Sequence, residues 1–149
     1  MKTTCKEIRS HCSVNYGLEI FGDKRSLLIV RDIVFAGNKT YGEFLKSEEG
    51  FATNVLASRL ASLEEQGILS KAPSPVDGRK DFYTLTERGL DLIPILLNIV
   101  LWSAQHDPES YMRRRKEFVA RLGRNTRKVS EEVKELVRNG RCVFPQVKG

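Results

Sequence analysis

The segment 40–69 predicts two helices joined by a tight turn, and no other part of the chain constrains the fold as strongly. Thr40 stands three residues before Glu43, the spacing of a capping box, in which a hydroxyl and a carboxylate satisfy free N–H groups at a helix start. We therefore expect a first helix from Tyr41 to about Ser47. Such a pair is typical of a helix-turn-helix, which places its second helix in the major groove of DNA.

The second helix, expected over about 52–66, combines one apolar stripe with a face of short polar side chains. Leu56, Leu60 and Leu63 recur at spacings of four and three, and Gly67 then supplies a left-handed helix stop. Short side chains let a helix backbone approach base edges, although an ordinary exposed face would carry similar residues. The residues expected to contact bases are Thr53, Asn54, Ala57 and Ser58.

A β-hairpin wing is predicted directly after this helix, over about 70–84. Two short β-type runs flank a turn that contains Asp77 and Gly78. Arg79 and Lys80 at the tip are expected to contact the minor groove or the DNA backbone, because a narrow groove has a strongly negative potential. The alternative interpretation is a solvated, charged turn.

Three further residues are candidates for phosphate contacts. Tyr41 and Gly42 lie at the capped start of the first helix, where backbone N–H groups or the phenol could bind a phosphate. Tyr41 could equally pack inside the domain. Arg59 lies beside the apolar stripe and could reach a phosphate or bond a neighbouring carboxylate, and the sequence leaves both readings open.

Helices are predicted on both sides of this unit. The apolar run from Lys24 to Phe35 predicts a central core helix. Thr86 is the expected N-cap of a long helix through Trp102, with a kink at Pro94. A further helix before Gly22 would need a partner surface to pack on.

The last third of the chain predicts a helical extension. Asp107-Pro108-Glu109 has the residues of a helix start, and apolar residues recur between Tyr111 and Leu136 at near-heptad spacing. Gly123 and Asn125 are expected to divide this stretch into two helices. So narrow an apolar stripe requires either the chain's own core or a second subunit. The run 113–116 is consistent with a solvated helix side or with contacts to flanking DNA.

Composition sets limits on the function. The net charge of +6 and pI near 9.4 favour a polyanionic partner without requiring one. Three cysteines without a CxxC pair and two histidines argue against a metal site, and no cofactor is expected. No apolar leader or bilayer-length segment is evident, so we expect no membrane association and a cytoplasmic protein, nucleoid-associated when bound to DNA.

Several anchors in a fixed order resemble the HxlR-type winged helix-turn-helix regulators. They cover residues 10 to 102 and comprise Cys12-Ser13-Val14, Gly22-Asp23-Lys24, the segments 60–69 and 82–89, and Trp102. The resemblance implies a mainly α fold with a small β-hairpin, in which N- and C-terminal dimerisation helices flank the winged unit. The domains would be 1–23 for dimerisation, 24–102 for DNA binding and 103–149 for the extension.

The resemblance also implies a function. We expect a homodimeric transcriptional regulator, most simply a repressor, on a palindromic operator in double-stranded DNA. Two departures from the family stand out. Arg25 takes the place of the usual aromatic residue, and the extension continues beyond the usual end of the family, which is near Trp102 or one helix later.

Cys12 is the candidate for a signal-sensing residue, since some members of this family sense electrophiles or oxidants with a cysteine there. A small effector molecule is the other expected kind of signal. Sensing needs a lowered thiol pKa, which nearby Lys6, Arg9 and His11 could provide. The alternative is a small buried hydrophobe at the dimer helix.

Three other functions compete with this interpretation. A winged-helix module that binds protein without DNA would need an apolar outer face on the second helix, and that face is small and polar. A thiol enzyme with Cys12 and His11 is disfavoured, because neighbouring helical residues point about 100° apart. A MarR-type regulator shares the fold but usually has a longer helical N-terminus.

Overall fold

The computed structural model describes residues 7–145 and confirms a mainly helical fold with one two-stranded hairpin. Lys6, one of the cations expected to act on Cys12, lies outside the described residues, as does Cys5. Within 7–145, no helix is long and apolar enough to cross a bilayer. The N-terminal half contains α1 (Ser13–Phe21), α2 (Ser26–Arg31), α3 (Tyr41–Leu45), α4 (Thr53–Glu65), β1 (Leu69–Pro73) and β2 (Asp81–Leu85). The C-terminal half contains α5 (Glu87–Leu90), α6 (Ile93–His106), α7 (Lys116–Arg124) and α8 (Thr126–Arg138).

The core forms where the apolar stripes of the helices meet. Leu56, Leu60 and Leu63 are at most 2% exposed, so the predicted stripe of α4 is confirmed as buried. They pack with Ile29 of α2 and Leu97 of α6, both fully buried. Burying such side chains is the main stabilising contribution to a domain of this size.

The core helix predicted from Lys24 to Phe35 is present but changes its winding. α2 is α-helical only to Arg31, and Asp32–Ala36 form one π-helical turn before Gly37, whose φ is 74°. The wider turn leaves carbonyls free near its end. Val143 and Phe144 donate to the carbonyls of Val34 and Phe35, each at 2.9 Å, so the C-terminal segment is tied to this turn.

The kink predicted at Pro94 is wrong. Thr86 does cap a helix, since its hydroxyl accepts a hydrogen bond from the N–H of Gly89 at 3.0 Å. That helix, α5, ends at Leu90, and α6 begins at Ile93. Pro94 thus lies in the first turn of α6, where its missing N–H has no helical partner to lose.

The C-terminal extension differs from the prediction at its start, but it is divided into two helices where the sequence predicts. Asp107 begins a turn instead of a helix, and its carboxylate accepts the N–H of Glu109 at 3.0 Å. A 3-10 turn, Tyr111–Arg115, then leads into α7. The predicted division is confirmed at Asn125, whose side chain accepts the N–H of Lys128 at 3.0 Å and caps α8.

The extension packs on the core of its own chain. Leu122 of α7 and Val129 and Val133 of α8 are at most 3% exposed. Ion pairs add to this packing, with Arg138 of α8 bonding Glu87 at 2.8 Å. Of the two partners that the sequence left open, the chain's own core therefore covers Leu122, Val129 and Val133 of this stripe, whereas Tyr111 at its start is 76% exposed.

Candidate nucleic-acid interface

The exposed face of α4 carries the four short residues expected to read bases. Thr53, Asn54, Ala57 and Ser58 are all exposed, while the leucine stripe lies on the buried side. Ala52 precedes the helix and offers no side-chain cap, so N–H groups of the first turn stay unbonded by a cap. This end of the helix can approach a negatively charged surface closely.

The short helix α3 fixes the position of that first turn. The hydroxyl of Tyr41 donates to the carbonyl of Thr53 at 3.0 Å, which joins the starts of α3 and α4. The expected cap at Thr40 is present, since its hydroxyl accepts the N–H of Glu43 at 3.3 Å, but the carboxylate of Glu43 accepts the N–H of Lys39, one residue before the position that a capping box uses, at 2.7 Å. Gly42 is exposed, with open space where a Cβ would stand.

Arg59 is half-buried at the edge of this face and is bonded inside the protein. Its guanidinium lies 3.6 Å from the carboxylate of Asp23 and 3.4 Å from the hydroxyl of Ser58. Partial burial raises the pKa of Asp23, but hydrogen bonds from Ser26 and the charge of Arg59 outweigh it and lower the pKa. In this structure Arg59 therefore forms an ion pair with a carboxylate, which is one of the two interpretations that the sequence left open.

The wing is a regular antiparallel hairpin with a compact tip. Its strands pair from Leu69 with Leu85 to Pro73 with Asp81. At the tip, the largely buried hydroxyl of Ser74 accepts the N–H of Asp77 at 3.3 Å. Arg79 and Lys80 are both exposed there.

One tip cation is oriented by a neighbouring acid. The Nε of Arg79 lies 3.2 Å from the carboxylate of Asp77, which also accepts the N–H of Arg79 at 3.1 Å. These hydrogen bonds lower the pKa of Asp77, so the acid is ionised at neutral pH and holds Arg79. The side chain of Arg79 is still 92% exposed, so it remains available to a phosphate.

Sequence reasoning missed a positioning residue at the other end of α4. Arg88 donates from Nε to the carbonyl of Gln66 at 3.1 Å and from its guanidinium to the hydroxyl of Tyr16 at 3.0 Å. It therefore joins α1 to the C-terminal turn of α4. No local spacing signals such an arrangement, because its partners lie 22 and 72 residues away in the chain.

Cys12 is exposed at the start of α1. Within a single chain it is therefore not the small buried hydrophobe of the alternative interpretation. The pKa of its thiol is lowered by the nearby backbone N–H groups of Asn15 and Val14, in the first turn of α1, although the thiol makes no capping hydrogen bond. The expected contribution of Arg9 and His11 is not among these causes. Among residues 7–145, the helix start and not a neighbouring cation thus favours the thiolate.

Two helices leave large apolar side chains uncovered. On α1 these are Val14 and Leu18, which are 69% and 57% exposed. On α6, Ile99 and Trp102 are 44% and 66% exposed. A groove of about 960 Å³, lined by Ile99 among others, opens between α2, α6 and the start of the extension.

The chain matches known regulators over its winged unit. The sequence model of the HxlR-like helix-turn-helix family matches residues 20–111. An HTH-type transcriptional regulator of Synechocystis is 30% identical over 93 residues, covering 62% of this chain and 68% of that protein. An HTH-type transcriptional regulator of Mycobacterium tuberculosis is 32% identical over 96 residues, which cover 64% of this chain and 60% of the mycobacterial protein.

Two solved structures share the fold. The crystal structure of PA1607, proposed to be a transcription factor, superposes with a TM-score of 0.62 at 38% identity, over 68% of this chain and 71% of that one. The redox regulator HypR, in its oxidized form, superposes with a TM-score of 0.54 at 28% identity, over 64% of this chain and 97% of HypR.

Proposed function

Because this chain belongs to the HxlR-like helix-turn-helix family, and is thus an HTH-type transcriptional regulator and not an enzyme, we propose that it represses transcription as a homodimer on a palindromic operator. α4 would enter the major groove, and the wing would contact the adjacent minor groove or backbone. The observation that carries this proposal is the exposed, short-chained face of α4 beside an uncapped helix start.

Side chains in the first two turns of α4 would contact the base edges. The amide of Asn54 can donate and accept at once, which matches the N6 and N7 atoms of adenine. Thr53 and Ser58 can bond either kind of base edge, and Ala57 lets the backbone approach or packs on a thymine methyl group. These roles are consistent with the exposure of all four side chains.

Phosphate contacts would position the helix. We assign them to the N–H groups at Tyr41 and Gly42 and to the side chains of Arg79 and Lys80. Arg59 would reach the backbone while Asp23 orients its guanidinium from behind. Since the Tyr41 hydroxyl already bonds Thr53, this residue offers its backbone more readily than its phenol.

The homodimer would form through α1 and α6. Val14 and Leu18 on α1, with Ile99 and Trp102 on α6, are apolar surface that a second subunit would cover. Two copies related by a two-fold axis would then present their α4 helices to half-sites about 34 Å apart, one turn of the duplex.

A thiol-reactive signal would act at Cys12. The exposed thiol with a lowered pKa has the environment of a reactive cysteine, and HypR is a redox regulator of the same fold. Modification there would change α1, which we assign to dimerisation, and so alter operator binding. The groove beside α6 is the candidate site for a small effector.

The test is selection of genomic fragments by the purified protein, followed by measurement of Kd for the selected site and for random duplex at physiological salt. We expect an inverted repeat bound at least about 10³-fold more tightly than random DNA. Asn54→Ala should relax discrimination at one base pair by about 1–3 kcal/mol. Gln66→Ala, the same kind of amide at the far end of α4, should leave it unchanged.

Uniform binding to all duplexes, or none, would overturn the proposal and favour a winged-helix module that binds protein. Size determination by light scattering tests the dimer independently. A monomer at micromolar concentration would contradict the assignment of α1 and α6.

A further inference from the structure

The positive charge of this chain is concentrated outside its winged unit. The sixteen residues 113–128 contain eight of the 25 Lys and Arg residues but only one of the 19 acidic residues, Glu117. The rest of the chain holds 17 basic and 18 acidic side chains and is close to neutral. The net charge of +6 therefore comes from one segment at the start of the extension. The elements expected to read bases lack the excess charge that gives most DNA-binding proteins their sequence-independent affinity.

This segment is part of the packed structure. Leu122 is fully buried and Val129 is 2% exposed, so both α7 and the start of α8 are anchored in the core. A Cβ at Gly123 would stand 3.9 Å from the side chain of Leu101 in α6, so the helices run close together. Asn125 caps α8 at the turn between α7 and α8. The charges are thus held in place on an ordered scaffold.

Two of the cations are engaged within the protein. The guanidinium of Arg115 lies over the ring of Phe144 at 4.2 Å, and Arg121 pairs with Glu132 at 3.3 Å. Five others are exposed and have no carboxylate within 4.0 Å among residues 7–145. We call these five the basic surface: Arg114, Lys116, Arg124, Arg127 and Lys128.

We propose that the basic surface binds the phosphate backbone of double-stranded DNA as a second, sequence-independent site. The proposal rests on the regulator function proposed above. Arg124, Arg127 and Lys128 surround one turn and repel each other, and the positive end of α8 adds to the field. A duplex relieves that repulsion and releases its own counterions for each phosphate neutralised.

Tethering favours DNA over other polyanions. Once α4 occupies an operator, a surface of the same chain that can reach the flanking duplex meets its phosphates at a high effective concentration. An interaction that is weak alone then adds affinity without new sequence preference. An acidic membrane or protein partner would gain no such advantage from α4.

The test uses the full chain with Arg127 and Lys128 both changed to Glu. Acidic residues in the first turn of a helix are favourable, so this variant should keep α8 folded, which circular dichroism checks. The matched control is Arg127→Lys with Lys128→Arg, which keeps the charge. Kd for a random-sequence duplex is measured against salt concentration. We expect the slope of log K against log salt concentration to become shallower by about 0.9 for each phosphate that the Glu variant no longer neutralises. The slope of the control variant should be unchanged.

An unchanged slope in the Glu variant would overturn the proposal. The proposal would also be overturned if the Glu variant lost binding to phosphatidylserine vesicles but kept the salt dependence of duplex binding. That result would assign the basic surface to membranes. Operator selection is scored separately. A wild type without operator preference whose slope still depends on Arg127 and Lys128 would refute the regulator function alone. Operator preference with an unchanged slope would refute this proposal alone, and absence of any duplex binding would refute both.

Discussion

Arg88 donates to the carbonyl of Gln66 at 3.1 Å, and this hydrogen bond holds the C-terminal turn of the helix that we expect to read DNA. The same guanidinium bonds the hydroxyl of Tyr16 at 3.0 Å and lies 6.0 Å from the centre of its ring. α1, where we place dimerisation and thiol sensing, is therefore connected to α4 through one side chain.

Replacing Arg88 should weaken both stability and operator binding. Arg88→Ala removes the hydrogen bond to Gln66 as well as the one to Tyr16, and each contributes a net of about 1 kcal/mol. Tyr16→Phe removes only the hydrogen bond to α1 and keeps the contact of Arg88 with the ring. Urea unfolding measures the stability of each variant, and fluorescence anisotropy measures operator Kd. Tyr16→Phe should keep the operator affinity of the unmodified protein but reduce the effect of Cys12 modification, and an unreduced effect would contradict coupling through this pair.

Two glycines should respond oppositely to alanine. A Cβ at Gly89 would stand 2.2 Å from the backbone carbonyl of Ile68, so Gly89→Ala must displace α5 from the end of the wing. We expect a destabilisation of several kcal/mol, in the range of the larger single-residue effects. Gly42 has open space at the same position and a helical backbone, so Gly42→Ala should stabilise by about 0.4–1 kcal/mol. Thermal unfolding compares the pair, and equal Tm values would contradict the packing described.

The parts of this fold that sequence predicts are those specified by neighbours in the chain. The cap at Thr40, the leucine stripe of α4 and the cap at Asn125 each depend on residues a few positions apart. Their signals reflect helix geometry directly, which is why the helix-turn-helix was predictable.

What the sequence did not predict depends on distant residues. Arg59 bonds Asp23 and Arg88 bonds Gln66 only after α2, α4 and α5 have packed. Pro94 and Asp107 carry signals compatible with a helix kink and a helix start, and tertiary packing selected a helix start and a turn instead. Residue types alone did not distinguish these outcomes.

Ionisation of Asp23, which pairs with Arg59, should make the free energy of unfolding depend on pH. The pKa of Asp23 is lowered in the native protein, so its stabilising effect is complete above the unfolded value of about 3.9 and disappears as pH falls through the native pKa. Asp23→Asn should therefore destabilise the protein at neutral pH and have progressively less effect as the pH falls below the unfolded pKa of about 3.9. Urea unfolding at a series of pH values measures this. A difference from wild type that stays constant down to acid pH would refute the assignment.

The reactivity of Cys12 should depend on the backbone of α1 and not on nearby cations. The backbone N–H groups of Asn15 and Val14 lower the pKa of the thiol, so its alkylation rate should reach half-maximum below about pH 8.5, the ordinary range for cysteine. Asn15→Pro removes the more important N–H, and should shift the midpoint upward provided that circular dichroism shows α1 retained, since proline disfavours a helical backbone at the preceding Val14. Asn15→Ala keeps that N–H and should leave the midpoint in place, as should Arg9→Gln. Iodoacetamide labelling in a Cys5→Ser, Cys142→Ser background reports Cys12 alone, and a midpoint that moves with Arg9 instead of Asn15 would assign the thiolate to charge.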